Sequence, residues 1–458
     1  MAGLGPRRIV SRALEVSPAA ESTRRPAVRT LAAFVLANFV LAHVALLVVK
    51  TPVEDTGILP IAWFFTARQG HDSWDSMALG YAQATTPHAR ARPFYWRTFF
   101  SPQVVRKGFQ YPPSALLVVS GLHAVLGEGW PGALRVITWA MVPLTALFVW
   151  MLYEARGGGP APGSERALAA LTAALATLTF YPVMRAYANG QMQAWLNAAF
   201  AMAVWCWATG RRGWAGALVA LGCAVKPQLG LFVLWAALRR QWSFLAAWAA
   251  TAAALLAASV ALYGWSPHVE YLGVLRFLGE RGEAFFPNQS VNGLVNRWLL
   301  NGDILSWRQP WVEHFPPYDG RVFWATVASS LVLVTLGLTG PGARGERGGV
   351  IDFCLMGLAA TLASPIAWEH HYGVLLPMFV AASAALARAG ARSRWGVALA
   401  VAYVLTSNCF WVTKRLASTR LNVFESYLFF GALVLLIVLM EAPLGRESRR
   451  MGPGEVTA

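Results

Sequence analysis

Charged residues are scarce in this chain: Asp, Glu, Lys and Arg make up 13% of 458 residues, against 56% hydrophobic ones. With 21 Trp and a mean hydropathy of +0.46, that balance excludes an ordinary soluble domain of this length, and the chain reads as a polytopic membrane protein. Acids are scarcer than bases, 22 against 38, for a formal net charge of +16. The Lys and Arg gather in short connections between apolar runs, which is the positive-inside pattern and not a nucleic-acid patch. Cys206, Cys223, Cys354 and Cys409 fall in or beside apolar runs without CxxC spacing, and HEXXH is absent, so neither a disulfide framework nor a metal site is indicated. Neither a GxGxxG nor a P-loop is suitably placed, so no nucleotide-binding domain and no cofactor is expected.

What is present is a ladder of apolar runs, at about 29–49, 112–127, 131–153, 167–184, 192–209, 213–238, 242–264, 322–340, 350–366, 372–388, 396–413 and 425–443. They predict an all-α protein of about 12 membrane spans. A basic tail at 1–28 and another at 445–458 flank a single membrane domain over 29–444. Arg211–Arg212, Arg239–Arg240, Arg344, Arg347, Arg388–Arg394 and Arg446–Arg450 belong on the cytoplasmic side, as do both termini. That orientation puts four stretches outside: a loop at about 50–110, the turn at Asn189–Gln191, a loop at about 265–321, and Ser364–Tyr372. Two runs resist a simple span. Two full crossings at 112–127 and 131–153 would bring Arg156 outside; either the shorter one is re-entrant or the connection after the longer one is an external one carrying two arginines balanced by Glu154 and Glu165. Run 213–238 holds Lys226-Pro227 at its middle, where proline removes a backbone donor and lysine is expensive in lipid, so it reads as two short helices meeting at the lysine.

The polar exceptions collect on the outer face. His71-Asp72-Ser73-Trp74-Asp75 sits in the first loop, followed by Arg106, Lys107 and FQYPP at 109–113. Further along come NGQ at 189–191, VKPQ at 225–228, NQSVNG at 288–293 and SPIAWEHHY at 364–372. A site built there has carboxylates to act as base, amides to hold hydroxyls and cations to hold an anion. Each feature also has a plain structural reading: solvated or capping aspartates, a helix–helix turn at NGQ, a lysine reaching for a helix end. Adjacent histidines point apart on a helix, so one at most of His370 and His371 is expected to face the site.

In this order the motifs resemble those of glycosyltransferase family 87, multispanning enzymes of the C-type glycosyltransferase fold; the resemblance runs from Leu31 to about Leu444. It implies transfer of a hexose, mannose by first choice, from a polyprenyl-phosphate-linked donor to a lipid or glycan hydroxyl, with inversion, on the external face. It further implies that Asp72, or else Asp75, is the general base and that Lys226, His370, His371, Arg106 and Lys107 are candidates to hold the donor phosphate. Asn189, Gln191, Gln228, Asn288, Asn292, Trp74, Trp368, Glu369 and Tyr111 are the candidates for sugar and acceptor. The expected partners are the lipid-linked donor, the acceptor and membrane lipid; no protein partner is indicated. The Ala-, Arg- and Gly-rich composition suggests a GC-rich bacterium, and with it the cytoplasmic membrane with an outward-facing site. Two rivals use similar parts: a transporter or flippase, which would place ionisable groups near the bilayer midplane in repeated halves, and a ligase moving a whole lipid-linked glycan.

Overall fold

The computed structural model describes residues 18–49, 57–86, 92–105, 107–156, 162–307, 310–340, 347–389, 393–442 and 444. Arg106, part of the first long loop, Arg344 and the outer parts of both basic tails lie outside them. Among the described residues the fold is all helical, with a single isolated antiparallel bridge between Asn288 and Trp368. In order the α-helices are α1 Pro18–Val49, α2 Ile58–Phe65, α3 Asp72–Thr85, α4 Leu117–Leu126, α5 Trp130–Arg156 and α6 Gly163–Thr179. Then follow α7 Tyr181–Ala188, α8 Gln193–Ala208, α9 Arg212–Cys223, α10 Leu231–Leu238, α11 Trp242–Tyr263 and α12 Ser266–Arg281. The last six are α13 Val291–Trp298, α14 Gly320–Thr339, α15 Val350–Leu362, α16 Leu375–Arg388, α17 Ser393–Ser407 and α18 Tyr427–Glu441. The first helix starts at Pro18, and its apolar, span-length part runs over Val28–Val48.

Among the described residues six helical stretches are long and apolar enough to cross a bilayer, or seven counting α6 and α7, which meet at a 61° bend, as one. The protein is an integral membrane protein. Other apolar runs hold shorter or broken helices: Pro182 lies in the first turn of α7 after an extended Phe180, and Pro227 divides run 213–238. Lys226, the residue before that proline, is held extended at φ −127°, which stops α9; a tight turn follows and α10 leads away. The expected pair of short helices is therefore present, with arginines flanking both outer ends and Lys226 near the tip. The tip is fixed to the segment after FQYPP, where Ser114 Oγ donates to the Ala224 carbonyl at 2.7 Å. At ten residues α4 is roughly 15 Å long, too short to span. Arg156, at the end of α5, lends its carbonyl to the Arg388 guanidinium, so both lie at one end of the bundle.

Burial sorts the helices into layers. The most apolar stretches of α1 and α11 are only 11% and 6% buried, which marks them as the lipid-facing rim, whereas the span containing α16 is 78% buried and forms the centre. There Phe353 of α15 stacks on Trp207 of α8 at 5.0 Å and on Phe200 at 6.0 Å. A second apolar cluster lies beneath the loops, where Phe99, Phe109 and Trp311 are fully buried. The two clusters give the loops at one end of the bundle a floor, and the separated motifs meet on it.

Candidate active site

The turn after α7 docks against the start of α3. Gly70 N donates to the Ala188 carbonyl at 2.7 Å, Asp72 N to the Asn189 carbonyl at 2.9 Å and Ser73 N to the Gly190 carbonyl at 3.1 Å. Gly190 is required twice over: its φ is +63°, and a Cβ there would stand 2.0 Å from the Gly70 oxygen. Side chains tie the same seam. Ser73 Oγ donates to Gln191 Oε1 at 2.7 Å and accepts from Met192 N at 3.0 Å. With its one proton thus used, it accepts from the Tyr111 hydroxyl at 2.8 Å. Burial pushes the Tyr111 hydroxyl up to about 12, so it stays a donor through the physiological range.

These bonds present Asp72. Its Oδ2 accepts from Gln191 Nε2 at 3.1 Å and pairs with Lys107 Nζ at 2.5 Å. Lys107 is in turn 5.2 Å from the Trp307 ring and 5.3 Å from the Trp368 ring, a cation held against two aromatic faces. Behind it Glu283 accepts from the Trp368 indole and meets His314 Nε2 at 2.6 Å, while Trp307 stacks on His314 at 3.8 Å. Asp75, one turn along α3, is exposed and borders a separate polar groove.

Beside this seam lies a cavity of about 380 Å³. Seven of the expected residues line it: Tyr111, Gln191, Lys226, Gln228, Trp368, His370 and His371. Its remaining wall is largely apolar, with Leu231, Leu275, Leu278, Val334 and Ile366. Lys226 Nζ is buried and meets no hydrogen-bonding group among the described residues, and neither does Gln193 Oε1 on the same lining. Both histidines reach the lining, against the expectation of one at most: they belong to the tight turn Glu369–Val374, with rings 4.8 Å apart and nearly perpendicular, and the cavity is wide enough to touch both. His371 Nδ1 accepts from Trp368 N at 3.2 Å, so its ring proton sits on Nε2.

Other expected residues are placed elsewhere. Asn288 is fully buried; its amide donates to the Glu283 and Pro365 carbonyls and its oxygen accepts from Ala367 N. Asn292, also fully buried, accepts from Glu283 N and donates to Thr326. Asn288 cross-links the loop that carries Trp368, Asn292 ties the segment at Glu283 to α14, and neither borders the cavity. Glu369 accepts from the Tyr181 hydroxyl at 3.0 Å, away from the lining, and Trp74 packs in the cluster beneath the loops, 5.8 Å from Trp195. Asn189 contributes its backbone carbonyl to the seam. Arg106 lies outside the described residues. Ser73, Gln193, Trp307, Glu283 and His314 are not among the expected residues; Ser73 alone carries a signal in the sequence, its place between the two acids.

A profile of glycosyltransferase family 87 matches residues 109–438. The chain belongs to glycosyltransferase family 87. Two curated relatives are both named polyprenol-phosphate-mannose-dependent alpha-(1-2)-phosphatidylinositol pentamannoside mannosyltransferase. The protein of Mycolicibacterium smegmatis is 29% identical over 59% of this chain and 60% of its own length. That of Mycobacterium tuberculosis is 26% identical over 59% of this chain and 57% of its own. The match thus covers less than two thirds of either relative, and no solved structure matches. The matched family 87 segment takes in every lining residue of the cavity, while Asp72 and Asp75 precede it.

Proposed function

We propose that this chain transfers mannose from a polyprenyl-phosphate-linked donor to a hydroxyl of a glycolipid or glycan acceptor, with inversion at the anomeric carbon. The observation that carries the reading is the Lys226 ammonium: buried, without a partner among the described residues, on the wall of a cavity that joins amides and histidines to a largely apolar remainder. A buried cation left open costs several kcal/mol in principle, and an anionic ligand with a hydrocarbon tail supplies what is missing. The phosphate meets Lys226 and the Nε2 proton of His371, the first isoprene units lie along Leu231, Leu275 and Val334, and Gln191, Gln193 and Gln228 hold sugar hydroxyls. Leaving phosphate gains charge as the bond to the sugar breaks, so these donors favour the transition state over the ground state.

Asp72 is the base in this reading. Its two side-chain bonds fall on Oδ2, which leaves Oδ1 to take the acceptor proton. Lys107 and Gln191 keep the carboxylate aimed, and the aromatic faces of Trp307 and Trp368 keep Lys107 in place. Membranes containing the wild type should move labelled mannose from polyprenyl-phosphate-mannose to lipid extracts, and Asp72→Asn should lower the rate by about 10²–10⁴-fold with expression unchanged. Transfer by Asp72→Asn at the wild-type rate would dismiss Asp72 as base; no transfer by the wild type would dismiss the donor. The bacterial cytoplasmic membrane with the site facing outward is the location we infer from the arginines at the opposite end of the bundle.

A further inference from the structure

Asp72 is bonded to one lining residue of each of two spaces. On one side Gln191, its hydrogen-bond partner, borders the cavity that holds Lys226. On the other, its ion-pair partner Lys107 borders a groove of about 480 Å³ whose other lining includes Asp75, Leu79, Gln83, Arg97 and Gln103. Lys107 also lies 5.3 Å from Trp368, which borders the cavity, so two short paths join the two spaces at the same carboxylate.

The two spaces differ in what they can hold. The cavity has an open cation and hydrocarbon walls, the features of a lipid phosphate site. The groove has a carboxylate, two amides and a guanidinium, with Ala78, Leu79 and Val104 between them. Arg97 is already committed to Gln83, donating to its backbone carbonyl at 3.0 Å and to its side-chain oxygen, and thereby stiffens one edge of the groove. Asp75 and Gln103 are exposed along it. Carboxylates and amides in reach of short aliphatic side chains suit a sugar, which offers hydroxyls at its rim and C–H groups on its faces.

We propose that this groove is the acceptor subsite and that it takes a polyhydroxylated glycan, with Asp75 accepting from its hydroxyls and Gln103 bonding to a neighbouring one. The proposal rests on the glycosyl-transfer reading. It gives inversion its geometry: the acceptor oxygen comes from the groove while the phosphate leaves into the cavity, on opposite sides of the anomeric carbon. The acceptor oxygen bonds to that carbon, the carbon–oxygen bond to phosphate breaks with its electron pair going to the phosphate, and the hydroxyl proton passes to Asp72. Asp75 then binds acceptor and Asp72 removes the proton, which gives the paired acids separate tasks.

The test uses the full chain in detergent with polyprenyl-phosphate-mannose as donor and n-octyl α-mannoside as acceptor. Losing a hydrogen bond to a charged group should raise the acceptor KM about tenfold or more in Asp75→Asn, and roughly threefold in the milder Gln103→Ala. The donor KM should stay within about twofold in both. Unchanged acceptor KM in both variants overturns the assignment, as does a donor KM that rises in step with it. Loss of turnover at saturating acceptor in Asp75→Asn also overturns it, because Asp75 would then be the base. A wild type that transfers mannose to no acceptor at all fails the underlying reading instead, and the assignment falls with it.

Discussion

Two buried cations at opposite ends of the bundle are treated in opposite ways. Arg239, among the arginines, is saturated: it forms a two-pronged pair with Asp352 at 2.7 and 3.1 Å and donates to the Leu338 carbonyl at 2.9 Å. Asp352 in turn accepts from Gly348 N at 2.7 Å. Lys226, at the motif end, meets no such group among the described residues. A charge in the interior must be compensated by partners or by a ligand, so the saturated one reads as structure and the open one as a site.

The contrast can be broken from either side. The largest effect on stability is expected for Asp352→Ala, which leaves the Arg239 guanidinium buried without its partner and should cost ~3–5 kcal/mol, seen as loss of folded protein in detergent. Gly190→Ala should come next. It forces a side chain into the left-handed region and against the Gly70 carbonyl, costing about 1–3 kcal/mol and loosening the seam that presents Asp72, so activity should fall further than stability. Thermal unfolding and transfer rates measured together separate the two losses; equal wild-type activity would show that the seam does not position the base.

Much of this end of the molecule is legible in sequence because it follows from backbone rules. Lysine before proline inside an apolar run forces an extended residue and a break, and the structure has one at Lys226. Asn-Gly between helices calls for a left-handed turn, and Gly190 has one. Side-chain destinations are less legible. Asn288 and Asn292 have the same chemistry as an amide facing a sugar, yet both are used up on buried structural partners, and nothing in residue type distinguishes the two fates. Glu283 and His314 are 31 residues apart and Lys107 and Asp72 are 35 apart, so their pairings depend on how long loops fold over one another.

The smallest expected effect on stability belongs to Lys226→Met, and it is the most telling. Replacing a buried, unpartnered ammonium by an apolar chain of similar length should leave thermal unfolding unchanged or slightly raised. The measurement to make is the affinity of purified wild type and Lys226→Met for a polyprenyl phosphate, the leaving group of the reaction, alongside unfolding in the same detergent. A loss of affinity of about tenfold or more with stability intact is the predicted result. Equal affinity, or a loss of affinity matched by a loss of stability, would contradict the claim that the cation is kept open for the donor's phosphate.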